Sequence, residues 1–437
     1  MRRGGNGKRA GRGLAVLLAL LLLLPGCGTG TNARRETATA APAASPAAVT
    51  VPPKGAGLRI AVASDLHLDP DNTDHSGLLA QASYSMELVD ALLWDARRQG
   101  SDILLVTGDL VNGGKPHRHA ALTEKLRQAE AEGTDVYVLP GNHDLAPVTQ
   151  TEFAEAYAAF GYGEARSRDK SSLSYSVVRD GLMLLMMDTG GYRPGAIDLP
   201  GAPQRGDDEA FLSESTLRWA ESQLKEAREK GLTVLAAGHY NLLTDISREP
   251  GSGFFLENGD RFAALLRQYG VPLYLSGHMH IQAVQQEDGL TELLTGYLLN
   301  YPTGYSVLEV TEDTLRFTPA RIDVDGWAAE TGVHDAVLRN FSAWQKENFR
   351  SYCADAVNSM AKRNPLGEDE ARNAADFFYA VMTAYWDGTL DTRRDILQTM
   401  PGCEPFFRCA EGYSYGWWLR DLMQTANPMM RGFTLKR

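Results

Sequence analysis

Five short clusters in this 437-residue chain carry side chains able to do chemistry: Asp65-Leu66-His67, Gly108-Asp109, Gly141-Asn142-His143-Asp144, Gly238-His239 and Gly277-His278-Met279-His280. Asp65, His67, Asp109, Asn142, His239, His278 and His280 offer the mixed oxygen and nitrogen donors that suit divalent manganese, iron or zinc. Seven donors exceed the needs of one cation and fit a pair that activates water for hydrolysis. Asp109 is the natural bridge, because one carboxylate can offer an oxygen to each of two cations about 3.5–4 Å apart. Asp65, His67 and His280 would then complete one shell, and Asn142, His239 and His278 the other. On an extended segment, His278 and His280 would lie on one side, each reaching a different cation.

These donors must be positioned by the elements before them. Each cluster follows an apolar run: Leu58–Ser64, Ile103–Thr107, Val136–Pro140, Thr233–Ala237 and Leu273–Ser276. In an α/β sheet, ligands bind just beyond the carboxyl ends of the strands, so five such strands aim their donors at one crevice. Helices are predicted between them at Met86–Gln99, Leu122–Glu132, Glu152–Phe160, Ser215–Lys230 and Arg261–Tyr269, from apolar spacings of three and four. Further strands are predicted at Leu182–Met187, Glu292–Leu294, Tyr305–Val310 and Leu315–Pro319. The late strands, with no helices between them, suggest a second sheet packed on the first. Strand patterns disappear after about Asp325, where Val333–Phe349, Tyr352–Arg363, Asp369–Trp386 and Thr392–Met400 read as helices. The expected domains are therefore 58–324, catalytic, and 325–437, a helical extension.

The amino terminus has another character. Arg2, Arg3, Lys8, Arg9 and Arg12 precede the apolar run Leu14–Leu24, which is short for a membrane span and suits a secretory signal. Leu24-Pro25-Gly26-Cys27 resembles a bacterial lipoprotein box, with Cys27 as the lipidated residue and 1–27 as the signal. An uncleaved signal anchor is the other reading. Residues 28–57, rich in Ala, Thr, Pro and Gly, read as a flexible tether. Loss of the leader's five cations takes the formal net charge from −12 to −17. So acidic a surface repels nucleic acid polymers, whereas a small phosphate ester can still approach cations in the site. Export would permit disulfides among Cys353, Cys403 and Cys409, one of which must remain unpaired.

The order and types of the five clusters resemble the calcineurin-like metallophosphoesterases, from Leu58 to about Val324. The resemblance implies an α/β fold with four αββα layers and a binuclear centre built by the seven donors. It also implies that His143 is the catalytic residue that protonates the leaving group during in-line attack of water on phosphorus. Asp144 is expected either to hold the His143 ring or to serve as an ordinary turn residue. Asp109-Leu110-Val111-Asn112 lacks the Asp-Arg-Gly of the protein phosphatases and the tyrosine ligand of the purple acid phosphatases. The chain is most similar to exported Gram-positive members of the class III cyclic nucleotide phosphodiesterase branch. His119, on an expected loop near Asp109, is a candidate substrate contact or a solvated residue. The expected activity is hydrolysis of small phosphodiesters, cyclic nucleotides among the candidates, at the outer face of a membrane. The alternatives are a phosphomonoesterase of envelope or scavenged esters and a surface binding module with a retained metal site.

Overall fold

The computed structural model describes residues 57–74, 78–190, 197–199, 210–243, 255–424 and 432–436. The leader with Cys27, the tether up to residue 56 and His75 lie outside the described residues. The described chain falls into two compact units, one of 57–349 with 381–393 and 432–436, the other of 350–380 with 394–424.

In chain order the strands are β1 (Leu58–Ala63), β2 (Ile103–Val106), β3 (Asp135–Val138), β4 (Ser167–Arg168), β5 (Tyr175–Arg179), β6 (Leu182–Met186) and β7 (Thr233–Ala237), then β8 (Leu273–Ser276), β9 (Ala283–Glu287), β10 (Leu290–Leu294), β11 (Gly304–Val310), β12 (Thr314–Arg321) and β13 (Thr434–Lys436). They form two mixed sheets, ordered β13-β12-β11-β1-β2-β3 and β4-β5-β6-β7-β8-β10-β9. Strands β1, β2 and β3 run parallel in the first, and β6, β7, β8 and β10 run parallel in the second. The runs Ile-Leu-Leu-Val of β2 and Leu-Tyr-Leu-Ser of β8 are buried at every position, as parallel strands covered on both faces must be.

The second sheet is not the one that the late strands suggest. Strand β11 pairs antiparallel with β1 and β12 with β11, so these two extend the first sheet. The donor-bearing strands are instead divided, three in one sheet and two in the other. Near the carboxyl terminus, β13 adds to β12, against the expectation that strands end near 325. That three-residue strand needs only the free edge of β12 as a template, and so leaves no periodicity to read.

Helices follow the apolar spacing: α1 (Ser85–Arg98), α2 (Pro116–Ala131), α3 (Gln150–Ala156), α4 (Glu214–Glu229) and α5 (Gly259–Tyr269). Helix α4 shows the logic. Ser213 Oγ accepts from Thr216 N at 3.0 Å and caps the start. Leu217, Ala220, Leu224 and Ala227 form the buried stripe, each leucine contributing about 1.5–3 kcal/mol of burial. Helix α2 begins six residues before the expected Leu122, because Pro116 presets its first turn. Then come α6 (Val324–Glu330), α7 (Phe341–Ala361), α8 (Glu368–Trp386), α9 (Leu390–Gln398), α10 (Cys403–Cys409) and α11 (Ser414–Leu422). Trp327, Leu338 and Phe341 are buried in the core that contains the first sheet. In the other unit, Phe378 stacks on Phe406 with centroids 5.0 Å apart, and Cys353, Cys403 and Cys409 are all free thiols.

Candidate metal centre

The loops leaving β1 and β2 stay zipped beyond the sheet. Asp65 N donates to Gly108 O at 3.0 Å and His67 N to Asp109 O at 2.9 Å. Two further hydrogen bonds cross from one sheet to the other: His278 N donates to Asp65 Oδ2 at 3.0 Å, and His239 Nδ1 to the Thr107 carbonyl at 2.8 Å. Since a carbonyl only accepts, the second bond fixes the His239 tautomer and turns Nε2 toward the centre. Gly108, at φ +96°, leaves no room for a side chain, because a Cβ there would overlap the His239 ring.

These contacts bring the predicted donors together in two groups that share Asp109: Asp65, His67, Asp109 and His280, and Asp109, His239 and His278. Asn142 joins the second group, its Oδ1 lying 3.1 Å from His239 Nε2. The two oxygens of Asp109 have different surroundings. Oδ1 accepts from His143 N at 2.8 Å, whereas Oδ2 lies 3.2 Å from His67 Nε2 and 3.4 Å from His239 Nε2. The expectation of one oxygen for each half is therefore corrected: a single oxygen faces both halves, because the His143 amide occupies the other. Asp65 is arranged alike, with Oδ2 on the His278 amide and Oδ1 at 3.2 Å from His280 Nε2.

The segment His278-Met279-His280 is not extended. His278 (φ 66°) and His280 (φ 56°) are left-handed, as are Asp65 (φ 52°), His67 (φ 39°) and Asp109 (φ 50°). Non-glycine residues held in this region cost about 1–3 kcal/mol each, and such strain gathers at functional sites where the surroundings impose it. Here the left-handed turns aim His278 toward His239, with Nδ1 3.2 Å from Nε2, and His280 toward Asp65.

The donor set fits divalent cations. Donors about 2.0–2.2 Å from one ion lie about 2.8–3.6 Å from each other in tetrahedral or octahedral shells, and the separations above fall in that range. Asp65 Oδ1 and His67 Nε2 are buried without a hydrogen-bond partner and meet only other members of the cluster. Electrostatics agree with the geometry. Burial would raise the carboxyl of Asp65, but the imidazoles of His280 and His67 outweigh it and hold it well below the usual range. Asp109 is depressed in the same way by His239, His143 and His67, against its burial. Conversely, burial disfavours the imidazolium of His67 and of His239, yet Asp109 and Asp65 drive them up to about 10 and about 9. Two buried carboxylates thus demand positive charge, and bound cations would meet that demand while releasing protons from the imidazoles.

Two expectations about neighbouring residues are corrected. Asp144 does not hold the His143 ring; its carboxylate accepts from Gly141 N at 2.8 Å and Val111 N at 2.9 Å, tying the β3 loop to the β2 loop. His119 is neither solvated nor on a loop. It lies buried in α2, donating from Nε2 to the Asp144 carbonyl at 2.9 Å and accepting at Nδ1 from Tyr157 Oη at 2.8 Å. Burial holds it down to about 4, so it is a neutral brace with both ring nitrogens engaged. His117 is exposed and paired with Asp71 at 3.0 Å.

Sequence reasoning missed three supports. Tyr297 stacks on His280 with centroids 4.2 Å apart and meets His67 edge-on at 5.1 Å; a lone loop tyrosine gives no signal. Thr189 Oγ1 accepts from His239 N at 3.0 Å. Glu292 is fully buried behind the second sheet's loops, and its one signal is a charge in the middle of an apolar strand.

Gly277 lies so close to the β1 loop that a Cβ would overlap Ser64 Oγ and sit 2.6 Å from Asp65 Oδ2. Gly277→Ala should therefore displace Asp65, lowering stability by about 1–3 kcal/mol as overpacking does and reducing metal uptake. Denaturant melts and metal analysis of the purified variant check this; wild-type values in both would refute the tight contact.

Residues 58–282 match the family model of the calcineurin-like phosphoesterases, and residues 323–425 match the C-terminal domain of cyclic nucleotide phosphodiesterase. A protein named probable cyclic nucleotide phosphodiesterase from Synechococcus sp. is 29% identical over 241 residues, covering 54% of this chain and 78% of that one. The tartrate-resistant acid phosphatase type 5 of Homo sapiens is 29% identical over 162 residues, 37% of this chain and 48% of its own. A glycerophosphodiester phosphodiesterase from Enterobacter lignolyticus is 23% identical over 222 residues, covering 51% and 70% respectively.

Proposed function

The chain belongs to the calcineurin-like phosphoesterase family, and on that premise we propose that it hydrolyses small phosphodiesters, cyclic nucleotides among them, with two divalent cations. Membership makes it a metallophosphoesterase, a hydrolase of phosphoric esters in a family that uses divalent metals. The two-cation reading is carried by Asp109 Oδ2, on which both donor groups converge. Asp65, His67, Asp109 and His280 would hold one ion and Asp109, Asn142, His239 and His278 the other; manganese, iron and zinc all suit this set. Bound cations supply Lewis-acid polarisation of the phosphate and acidification of water. His143 supplies the proton for the departing alkoxide. Its amide is anchored on Asp109 Oδ1, and its ring stands edge-on to His67 with centroids 4.6 Å apart. Burial holds its imidazole down to about 4 despite the opposing pull of Asp109, and a phosphate anion entering beside it raises it toward the useful range.

Diester preference is supported by the match of residues 323–425 and by two relatives named as diesterases. The acid phosphatase relative supports the monoesterase alternative. With manganese added, bis(p-nitrophenyl) phosphate should turn over faster than p-nitrophenyl phosphate; equal or better hydrolysis of the monoester would overturn the diester reading. The leader and Cys27 support an extracytoplasmic enzyme tethered to the bacterial membrane by a lipid. Among the described residues no helix is long and apolar enough to cross a membrane. Labelling of cells with a radioactive fatty acid should mark the wild-type protein and not Cys27→Ser; equal labelling of both would overturn the lipid anchor.

A further inference from the structure

Strand β10 is buried at all five positions, yet its central residue is an acid. Taking a carboxylate out of water is unfavourable unless donors replace the lost hydration. Glu292 has four such donors: Leu242 N at 3.0 Å, Leu243 N at 2.6 Å, Ser276 Oγ at 2.6 Å and Asn241 Nδ2 at 3.5 Å. Asn241 Nδ2 also donates to Ser276 Oγ at 3.1 Å and to the Gly277 carbonyl at 3.2 Å. Asn241, Leu242 and Leu243 lie in the exit loop of β7, and Ser276 is the last residue of β8. His239 stands three residues before Leu242, and His278 two residues after Ser276. None of these four donors belongs to the β1, β2 or β3 loops, which carry Asp65, His67, Asp109 and Asn142. The carboxylate therefore clamps together the two loops that present His239 and His278, while Tyr297 braces His67 and His280 separately.

We propose that Glu292 is a positioning residue for one half of the centre: by fixing the separation of His239 and His278, it governs the affinity for the cation held with Asn142 more strongly than that of the other half, which draws His280 from the β8 loop and whose Asp65 accepts from His278 N. This rests on the two-cation reading above. A glutamine at 292 keeps the shape but turns one acceptor into a donor, so one loop amide loses its partner and the clamp loosens. The loop then samples a wider range of His239–His278 separations, which weakens the site they share. Groups that orient metal ligands commonly account for about 10–100-fold in affinity.

The test is calorimetric titration of the metal-free full-length protein with Mn²⁺, accompanied by electron paramagnetic resonance. Wild type should bind in two steps and reach an exchange-coupled spectrum. Glu292→Gln should weaken one step by about tenfold or more and the other by clearly less, so that uncoupled single-ion Mn²⁺ persists at two equivalents. Ser276→Ala removes one donor and leaves both loop amides on the carboxylate; it should weaken the same step by less, and it decides the matter if Glu292→Gln does not fold. A merely structural role would lower the melting temperature without separating the steps. Equal weakening of both steps, or of neither, would overturn the proposal. A wild-type protein that takes up no second Mn²⁺ would instead overturn the two-cation reading, and this proposal with it.

Discussion

Asp109→Ala should leave the protein folded but unable to hold either cation, with diester turnover reduced by more than about a thousandfold. The magnitude follows from what one oxygen does. Oδ2 lies 3.2 Å from His67 Nε2 and 3.4 Å from His239 Nε2, at the junction of the two donor groups. Removal of a single transition-state donor elsewhere typically costs about 10²–10³ in rate; here both sources of charge stabilisation would be lost together. Oδ1 adds a second effect, since it holds the His143 amide at 2.8 Å. Without it, the His143 amide loses its acceptor in the β2 loop, while Asp144 still ties the two loops through Val111 N. Metal analysis after gel filtration and turnover of bis(p-nitrophenyl) phosphate are the two measurements. A variant that retains two equivalents of manganese would show that the halves do not depend on Asp109.

His143→Ala is expected to behave oppositely toward the metals. The amide that caps Asp109 is kept, and the imidazole is not among the grouped donors, so both cations should still bind. Turnover should fall by about a hundredfold or more, the usual scale for a general acid. The loss should shrink for diesters with very acidic alcohols, because such leaving groups depart without a proton. Two manganese equivalents with a slow reaction would place His143 in the chemistry. Unchanged turnover would remove it, and loss of metal would make it a structural support of the centre.

Much of this centre is legible without coordinates. Asp-x-His, Gly-Asp, Gly-Asn-His-Asp, Gly-His and Gly-His-x-His stand in order, each after an apolar run, and all seven donor residues do meet in one place. Local patterning also gives most of the elements, since β7 and β8 have the boundaries read from their alternation with helices, and α4 those of its apolar stripe to within a residue. The corrections share one origin. His119 reads as a loop residue because its role depends on Tyr157 and the Asp144 carbonyl, 38 and 25 positions away. Asp144 reads as either a holder of the His143 ring or a turn residue; its carboxylate accepts from the Gly141 amide within its own turn and from the Val111 amide brought near by the pairing of β2 with β3.

By itself the sequence determined which side chains offer metal donors, that they follow strands, and that helices predominate after about residue 325. Side-chain chemistry and the periodicities of 2 and 3.6 are local properties, and they survive in any reading of the chain. Only the tertiary structure decided that the donors are divided between two sheets, that one oxygen of Asp109 faces both halves, and that five donor residues take a left-handed backbone. Those features arise from long-range hydrogen bonds such as His278 N to Asp65 Oδ2, across 213 positions. Strand partners and the surroundings that sustain backbone strain are chosen by the whole fold, so no window of sequence contains them.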